Sequence, residues 1–289
     1  VATGKNGNVV TSSEVQTQCG ISTICFVPAG ISMKMNSPLN VAALRVQGTV
    51  HWDKHMQGAL SSIWLCAGYV AIEDGGNFTL DMSSNFQQSA YIFIKDNGAK
   101  HSILGTRAFG TIGVNKAAYI DIKGRPFRRT WSLLARSLRK GETSLKLMHD
   151  PQLSGWKIGD LIVVGPTGDR STGQAQAFYV TGFGPFNKVH VDRPALPLKV
   201  VGDGVSIEPA FVATFESIPL PGKAASLRSA EVMDMTRNVV ITGDDFRHVP
   251  CDPTLGQGDS SMDGCRCSGE RSQCTIGLHT IHMFKGVQK

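Results

Sequence analysis

Four carboxylates in the last quarter of the sequence are of the residue type that glycosidic bond cleavage requires. Asp244 and Asp245 follow a predicted strand that ends at Thr242-Gly243, and Glu231 and Asp234 are likewise expected to follow a strand. A glycosidase uses two such groups, one as general acid and the other as base or nucleophile. The same oxygens could bind calcium. An aspartate after Thr-Gly also forms a turn through its own side chain, and this structural interpretation is the favoured one.

Two histidines, His279 and His282, lie in a predicted strand that follows Cys265, Cys267 and Cys274. A structural zinc site needs about four ligands, usually with paired Cys-x-x-Cys spacing. The three cysteines lack that spacing, so the sequence favours disulfides and predicts no metal site. Side chains three residues apart on a strand point to opposite faces, so at most one of the histidines can face a given groove. A hydrogen-bonded, structural histidine is the favoured interpretation.

Positive charge is concentrated in the middle of the chain, where Lys123 and Arg139 accompany five further basic residues. These five are the predicted glycan-binding residues: Arg125, Arg128, Arg129, Arg136 and Lys140. A groove lined by them would attract an acidic polysaccharide, and salt would weaken the attraction. A solvated basic face fits the pattern equally well. The four tryptophans could stack on sugars, although most tryptophans at strand positions belong to the core: Trp52, Trp64, Trp131 and Trp156.

Seven cysteines and one glycosylation sequon predict a protein of the secretory pathway. Six cysteines are predicted to form disulfides in an oxidising compartment: Cys19, Cys25, Cys251, Cys265, Cys267 and Cys274. The seventh, Cys66, lies in an apolar segment and is predicted to be a free, buried thiol. Asn77 begins the sequon Asn77-Phe78-Thr79 and is the predicted glycosylation site. The sequence has no run of about 18 apolar residues, so no membrane span is predicted.

The composition predicts an all-β protein. Only 18% of the 289 residues are charged and 32 are glycine, as expected for a turn-rich β structure. The formal net charge of +6 is mild, so it does not imply nucleic acid binding. Short strand signals end at glycine turns and recur about every 20–25 residues. Repeated strand–glycine units of this kind are typical of a β-helix, whose coils share shape rather than sequence.

Residues 130–166 carry the clearest local signals. Alternation from Thr143 to Met148 predicts a half-buried strand. The apolar run at 161–164 predicts a strand buried on both faces, and Gly159-Asp160 before it predicts a turn. A short helix is the alternative for apolar residues at helical spacing, namely Trp131, Leu134, Ala135 and Leu138. Residues 1–20 are polar and predict an entry segment with little pattern.

Several short motifs, each weak alone, occur in an order that is fairly specific. In the first part of the chain they are Val27-Pro28-Ala29-Gly30, residues 44–48 with Trp52-Asp53, residues 72–80 with Gly75-Gly76, residues 120–124, Thr130-Trp131, and Trp156 with Gly159-Asp160 and Ile162. Later they are residues 230–232, 236–238, 241–243 and 279–284. Through these motifs the chain resembles the eight-glycine domain family with its attached parallel β-helix. That group includes fibrocystin, its long relative, and the cell-migration-inducing and transmembrane hyaluronidases.

The resemblance implies an all-β fold, a right-handed parallel β-helix with an N-terminal eight-glycine β domain. The implied segments are an entry segment at 1–20, the eight-glycine domain at 21–166, and β-helix coils at 167–289 with a Cys-rich loop at 251–274. Some of the family's glycines are displaced or missing here. A β-helix that stopped at Lys289 would expose an unpaired edge, so further coils or an assembly partner are expected beyond it.

For function, the resemblance implies an extracellular or cell-surface module of the fibrocystin type, with a structural or ligand-binding role. Its expected partners are an acidic glycan or a cell-surface protein, and its expected locations include the ciliary or flagellar membrane. The alternative is a hyaluronidase-like hydrolase that depolymerises an acidic polysaccharide, with calcium as a candidate cofactor. In that alternative His279, which lies in a family-like motif, would act with Glu231, Asp244 and Asp245. A polysaccharide lyase ranks lower, because no Lys/Arg base motif is recognisable.

Overall fold

The structure is a computed structural model that describes residues 8–53, 62–84, 89–95, 97–166, 175–196, 213–214, 228–243 and 278–288. The chain forms two compact units. Unit 1 comprises Val1–Arg125 and Arg237–Lys289, and unit 2 comprises Pro126–Thr236. Unit 2 is therefore an insertion between two sequence segments of unit 1, and the compact units do not coincide with the segments 21–166 and 167–289. Those family-domain boundaries stay predictions.

Strands dominate the described residues, which confirms the all-β class. The chain begins with β1 (Val9–Thr11), α1 (Ser12–Gln18), β2 (Ile24–Val27), β3 (Ser32–Lys34), β4 (Leu39–Asn40), β5 (Ala43–Val46), β6 (Thr49–Asp53), β7 (Ser62–Ala67), β8 (Val70–Glu73), β9 (Asn77–Asp81), β10 (Ser89–Ile94), β11 (Lys100–His101), β12 (Gly105–Thr106) and β13 (Ala108–Lys123). It continues with β14 (Trp131–Leu133), β15 (Ser144–Lys146), β16 (Leu161–Val164), β17 (Gln176–Gly184), β18 (Lys188–Val191), β19 (Ala213–Thr214), β20 (Arg228–Ser229), β21 (Glu231–Asp234), β22 (Val239–Thr242) and β23 (His279–Gln288).

In unit 1 the strands stack in three parallel ladders, which the chain visits in a fixed rotation. The first ladder joins β2, β5, β8, β13 and β23. The second joins β1, β3, β6, β9, β13 and β23. The third joins β4, β7, β10 and β22. The long strands β13 and β23 contribute to the first two ladders through their two ends, which a register shift between Gly113 and Ala118 separates.

The parallel register places apolar side chains of successive strands over one another. Leu44, Val70 and Phe109 are register partners in the first ladder, and Val50 and Phe78 are partners in the second. All five side chains are buried. Burial of each such side chain contributes about 1.5–3 kcal/mol, so these inward-facing stacks stabilise unit 1.

Two glycines lie where successive passes of the backbone approach too closely for a side chain. A Cβ atom at Gly48 would overlap the carbonyl oxygens of Ile31 and Pro28, and one at Gly76 would overlap the carbonyl oxygen of Val46. Both glycines belong to the motifs that carry the family resemblance. Close backbone approach therefore explains this part of the glycine pattern.

Helix α1 is a feature that the prediction of a patternless entry segment missed. Thr11 Oγ1 accepts a hydrogen bond from the N–H of Glu14, and the N–H of Thr11 donates to Glu14 Oε2 at 2.8 Å. This capping box is visible in the sequence Thr11-Ser12-Ser13-Glu14. Gln16 then bonds both backbone groups of Asn40, accepting from its N–H at 2.6 Å and donating to its carbonyl at 3.1 Å. The helix is thereby fixed against β4.

We expect Thr11→Ala to lower the free energy of unfolding by about 1 kcal/mol, the usual cost of losing an N-cap. The helix keeps its packing through Val15, so the fold should survive. The measurement is urea unfolding at neutral pH. Thr23→Ala, which alters an exposed threonine outside the helix, is the matched control and should leave stability unchanged. Equal stability of the two variants would show that the cap contributes nothing.

Unit 2 contains a six-stranded antiparallel sheet in the order β14-β21-β16-β17-β18-β15. In β16, Ile162 and Val164 are buried while the two residues between and before them are partly exposed. The prediction of a strand buried on both faces is therefore wrong, because an antiparallel sheet commonly covers only one face. The turn at Gly159-Asp160 is confirmed. The alternative helix is wrong, since residues 131–133 form β14 and Leu134 bridges Leu147.

The structure tests three of the seven cysteines. Cys19 and Cys25 form a disulfide, which confirms both as disulfide cysteines. Cys66 is fully buried as predicted, but it is disulfide-bonded, so the prediction of a free thiol is wrong. The predicted disulfide cysteines Cys251, Cys265, Cys267 and Cys274 lie outside the described residues. Within the described ranges, no helix has the length and apolar character needed to cross a membrane.

Candidate functional site

An exposed tryptophan in unit 2 lies between a guanidinium group and an imidazole ring. The Trp131 side chain is 45% exposed. The guanidinium carbon of Arg129 lies 5.2 Å from the centroid of the indole. The ring of His149 meets the indole edge-on, with the centroids 6.1 Å apart. We call Arg129, Trp131 and His149 the Trp131 surface; it offers an aromatic face and a permanent positive charge to solvent.

Hydrogen bonds to Trp156 and Ser154 hold the backbone of the Trp131 surface in place. The buried indole of Trp156 donates from Nε1 to the carbonyl oxygen of Arg129 at 2.9 Å. The N–H of Arg129 donates to the carbonyl oxygen of Ser154 at 3.3 Å. Ser132, the next residue of β14, is buried. Because successive side chains of a strand point to opposite faces, Trp131 points outward. The backbone at Arg129 is therefore held at two points.

Ser132 also positions His149. The N–H of His149 donates to Ser132 Oγ at 3.2 Å, and the same hydroxyl lies 3.0 Å from His149 Nδ1. The hydroxyl also donates to the carbonyl oxygen of Leu133 at 3.4 Å, and its second lone pair can accept from Nδ1–H. The imidazole is thereby oriented with its edge towards Trp131.

A second feature of unit 2 is an open pocket at the turn between β17 and β18. It has a volume of about 360 Å³ and is lined by Arg136, Leu145, Lys146, Pro185, Phe186 and Lys188. The Phe186 ring is 81% exposed, and Lys146 Nζ lies 6.0 Å from its centroid. We call this feature the hairpin pocket. It combines three cations with an apolar floor and one exposed aromatic ring.

One carboxylate offsets the charge of Arg136. Glu142 Oε1 accepts from Arg136 Nη1 at 2.8 Å, and Glu142 Oε2 accepts from the N–H of Arg139 at 2.8 Å. Burial raises the pKa of Glu142, but these hydrogen bonds outweigh it and hold the pKa below its ordinary value of 4.5. Glu142 is therefore ionised at neutral pH. The uncompensated charge of the hairpin pocket comes from Lys146 and Lys188.

The five predicted glycan-binding residues do not form one cluster. Arg129 belongs to the Trp131 surface, and Arg128 precedes it with its N–H bonded to the carbonyl of Ser154. Arg136 lines the hairpin pocket, and Lys140 is exposed in the turn before β15. Arg125 lies in unit 1, where its N–H donates to an asparagine side chain. Sequence reasoning missed Lys146, Phe186 and Lys188, because the pairing of β15 with β18 leaves no local signal.

The catalytic candidates show no shared arrangement. His279 Nε2 lies 3.2 Å from the carbonyl oxygen of Leu104 in unit 1, a hydrogen bond typical of a structural histidine. Glu231 is exposed in unit 2, and Asp244 and Asp245 lie outside the described residues. No group of three or more His, Cys, Asp or Glu side chains that could hold a metal occurs in the part of the chain that the structure describes. The catalytic assignments and glycosylation of Asn77 stay predictions.

Comparison with known proteins gives two findings. Residues 21–135 match the G8 domain family. Over 221 residues the chain is 26% identical to Fibrocystin-L of Homo sapiens, an alignment that covers 74% of this chain and 4% of that protein. Both findings support the eight-glycine and fibrocystin part of the resemblance. The chain thus spans only a small part of the length of this relative.

Proposed function

We propose that this chain is a module of an extracellular or cell-surface protein, and that unit 2 binds an acidic glycan through the Trp131 surface. We also propose that unit 1 is a right-handed parallel β-helix. The single observation that carries the binding proposal is the guanidinium of Arg129 over the exposed indole of Trp131.

The β-helix proposal is supported by the three parallel ladders of unit 1. In a β-helix, each coil passes through every ladder once and then returns to the first ladder, one level higher. Parallel strands need a crossover between them, and in this unit the strands of the other two ladders supply it. Right-handed crossovers are the rule for parallel strands in one sheet.

The binding proposal follows from the chemistry of acidic sugars. A sugar ring has an apolar C–H face that packs on an aromatic ring, and a carboxylate or sulfate on the same ring is a partner for arginine. The Trp131 surface supplies both groups next to each other. The backbone of Arg129 is already held by its hydrogen bonds to Trp156 and Ser154, so less backbone entropy is lost on binding.

The cell-surface location is supported by two independent features. The Cys19–Cys25 disulfide is typical of proteins that mature in an oxidising compartment. The matches to the G8 domain and to Fibrocystin-L favour the same class of protein. No observation among the described residues favours the hydrolase alternative, so calcium and a catalytic role are not part of the proposal.

We expect the secreted, disulfide-intact protein to bind immobilised hyaluronan or heparin at low salt, more weakly as salt rises. Trp131→Ala and Arg129→Ala should each weaken binding by about 3- to 10-fold, because each removes one half of the aromatic and cationic contact. The measurement is biolayer interferometry across a salt series. Lys34→Gln, which removes an exposed charge in unit 1, is the matched control. The proposal would be overturned if Trp131→Ala and Arg129→Ala bound with wild-type affinity while Lys34→Gln bound more weakly.

A further inference from the structure

We propose that the hairpin pocket is a second subsite, which binds the acidic group and the apolar face of one sugar residue through Lys146, Lys188 and Phe186. The class of ligand rests on the proposed function of unit 2. The location rests on separate observations, since the hairpin pocket shares no residue with the Trp131 surface.

The first observation is a pair of like charges in direct register. β15 and β18 are antiparallel neighbours, and Lys146 is the register partner of Lys188. Directly opposite side chains of an antiparallel pair lie on the same face of the sheet, and like charges there destabilise the pair. Neither amine has an ion pair with any carboxylate in the described residues. An anion placed between the two amines would relieve this repulsion, so the pair is suited to a ligand with one acidic group.

The second observation is the conformation of the turn that carries Phe186. The φ angles of Phe186 and Asn187 are +58° and +61°, in the left-handed region. Asparagine tolerates this region, but a bulky residue such as phenylalanine is strained there. The strained residue is also the one whose ring is 81% exposed. Backbone strain of this kind is concentrated at ligand-binding sites, where the position that it gives to the side chain is part of the function.

The third observation is a glycine, Gly184, at the end of β17 beside Lys188. A Cβ atom at Gly184 would lie 3.1 Å from His190 Nε2 and 3.4 Å from Lys188 Cβ. The glycine therefore leaves room for the stem of Lys188 and for the imidazole of His190 on this face of the sheet. Lys188 is half-buried, and a lysine in this position packs its aliphatic stem on the sheet while its amine stays accessible to a ligand.

These features specify an acidic sugar residue rather than a bare ion. The ring of Phe186 can pack on the C–H face of a sugar, while a carboxylate or sulfate lies between the two amines. The guanidinium of Arg136 is already paired with Glu142, so it adds little net charge. The volume of about 360 Å³ is at the lower end of small-molecule pockets, as expected for a short stretch of a polymer.

The test uses hexasaccharides of hyaluronan and heparin, with a chitin hexasaccharide as the neutral probe, titrated into the intact protein by calorimetry. We expect both acidic probes to bind and the neutral probe to bind weakly or not at all. The double variant Lys146→Gln with Lys188→Gln, and separately Phe186→Gly, should each weaken binding by about 3- to 10-fold. Hyaluronan carries only carboxylates and heparin carries carboxylates and sulfates, so the two arms show whether sulfate strengthens binding. Lys34→Gln is the control and should bind as the wild type does.

Stability provides a readout that a merely structural role would not reproduce. Lys188→Gln removes the like-charge repulsion, so its Tm at low salt should rise by about 1–3 °C while binding falls. Phe186→Gly relieves the positive φ and should likewise bind more weakly without loss of stability. Loss of binding together with a lower Tm in both variants would overturn the proposal. Wild-type affinity in these variants, with binding lost only in Trp131→Ala, would overturn this subsite and leave the proposed function intact. An absence of binding to any acidic probe would overturn both.

Discussion

Trp156→Ala is expected to destabilise unit 2 by about 3–5 kcal/mol, the usual cost of removing a large buried aromatic side chain. The indole is 2% exposed and lies in the same core cluster as Ile162, Phe178 and Val189. Its loss also leaves the carbonyl of Arg129 without its hydrogen-bond donor. Both effects act on the segment that carries the Trp131 surface, so glycan binding should fall with stability.

The measurement is hydrogen exchange of peptides from residues 126–166, together with thermal unfolding. Trp131→Ala is the comparison, since its ring is largely outside the core, and it should cost little stability while reducing binding. Trp156→Phe keeps an aromatic ring but loses the donor, so it should be destabilised less than Trp156→Ala. If Trp156→Ala and Trp131→Ala proved equally stable, the assignment of one ring to the core and the other to the surface would be wrong.

Glu73→Ala is expected to cost about 3 kcal/mol in unit 1, near the lower limit for breaking a buried ion pair because Arg45 is partly exposed. The Glu73 carboxylate is buried and accepts two hydrogen bonds from Arg45, at 2.5 and 2.9 Å, and one from Gln47 at 3.1 Å. His101 lies 3.2 Å away through Nε2. The Nδ1 of His101 accepts from the N–H of Leu104, so Nε2 carries the hydrogen that bonds Glu73.

Because Glu73 is ionisable, we expect the stability of unit 1 to depend on pH. Burial raises the pKa of Glu73, but the hydrogen bonds and charge of Arg45, with those of His101 and Gln47, outweigh it and hold the pKa below its ordinary value of 4.5. The unfolded state therefore binds a proton at higher pH than the folded state does. The stabilising contribution is present above pH 4.5 and is lost as pH falls through the folded value.

Glu73→Gln should accordingly flatten the acid limb of the stability profile, while Glu73→Ala lowers stability at neutral pH. Chemical unfolding at several pH values between 3 and 7 measures both. Asp74→Asn is a useful comparison, because that carboxylate is exposed and bonds Asn115 of β13 instead. An acid limb that is unchanged in Glu73→Gln would show that another group determines it.

The fold class could be predicted from the sequence because its signals are local. The alternation from Thr143 to Met148 corresponds to β15, although the strand itself is only Ser144–Lys146. The missed helix α1 has a capping box that can be read from the sequence. It has only seven residues, however, which is too short for a repeated pattern of apolar residues at helical spacing. The error at β16 has a different cause: a continuous apolar run does not reveal whether a strand's neighbours are parallel or antiparallel. That depends on pairing with β17 and β21, which are distant in sequence.

The candidate site was predictable only in part, for the same reason. The sequence indicated Arg129 as part of the basic run, but it indicated Trp131 only as one of four tryptophans that could stack on sugars. Sequence reasoning could not separate Trp131 from the buried Trp52, Trp64 and Trp156, because exposure depends on the covering strands. Lys146 and Phe186 are 40 residues apart and meet only through the β15–β18 pairing.

The most direct test of glycan binding through the Trp131 surface is the indole N–H spectrum of ¹⁵N-labelled protein during titration with an acidic hexasaccharide. Four indole resonances are expected, three from buried rings and one from Trp131. Only the Trp131 resonance, assigned by its loss in Trp131→Phe, should shift, and added salt should reverse the shift. A glycan that binds by calorimetry yet leaves the Trp131 resonance in place would contradict the account.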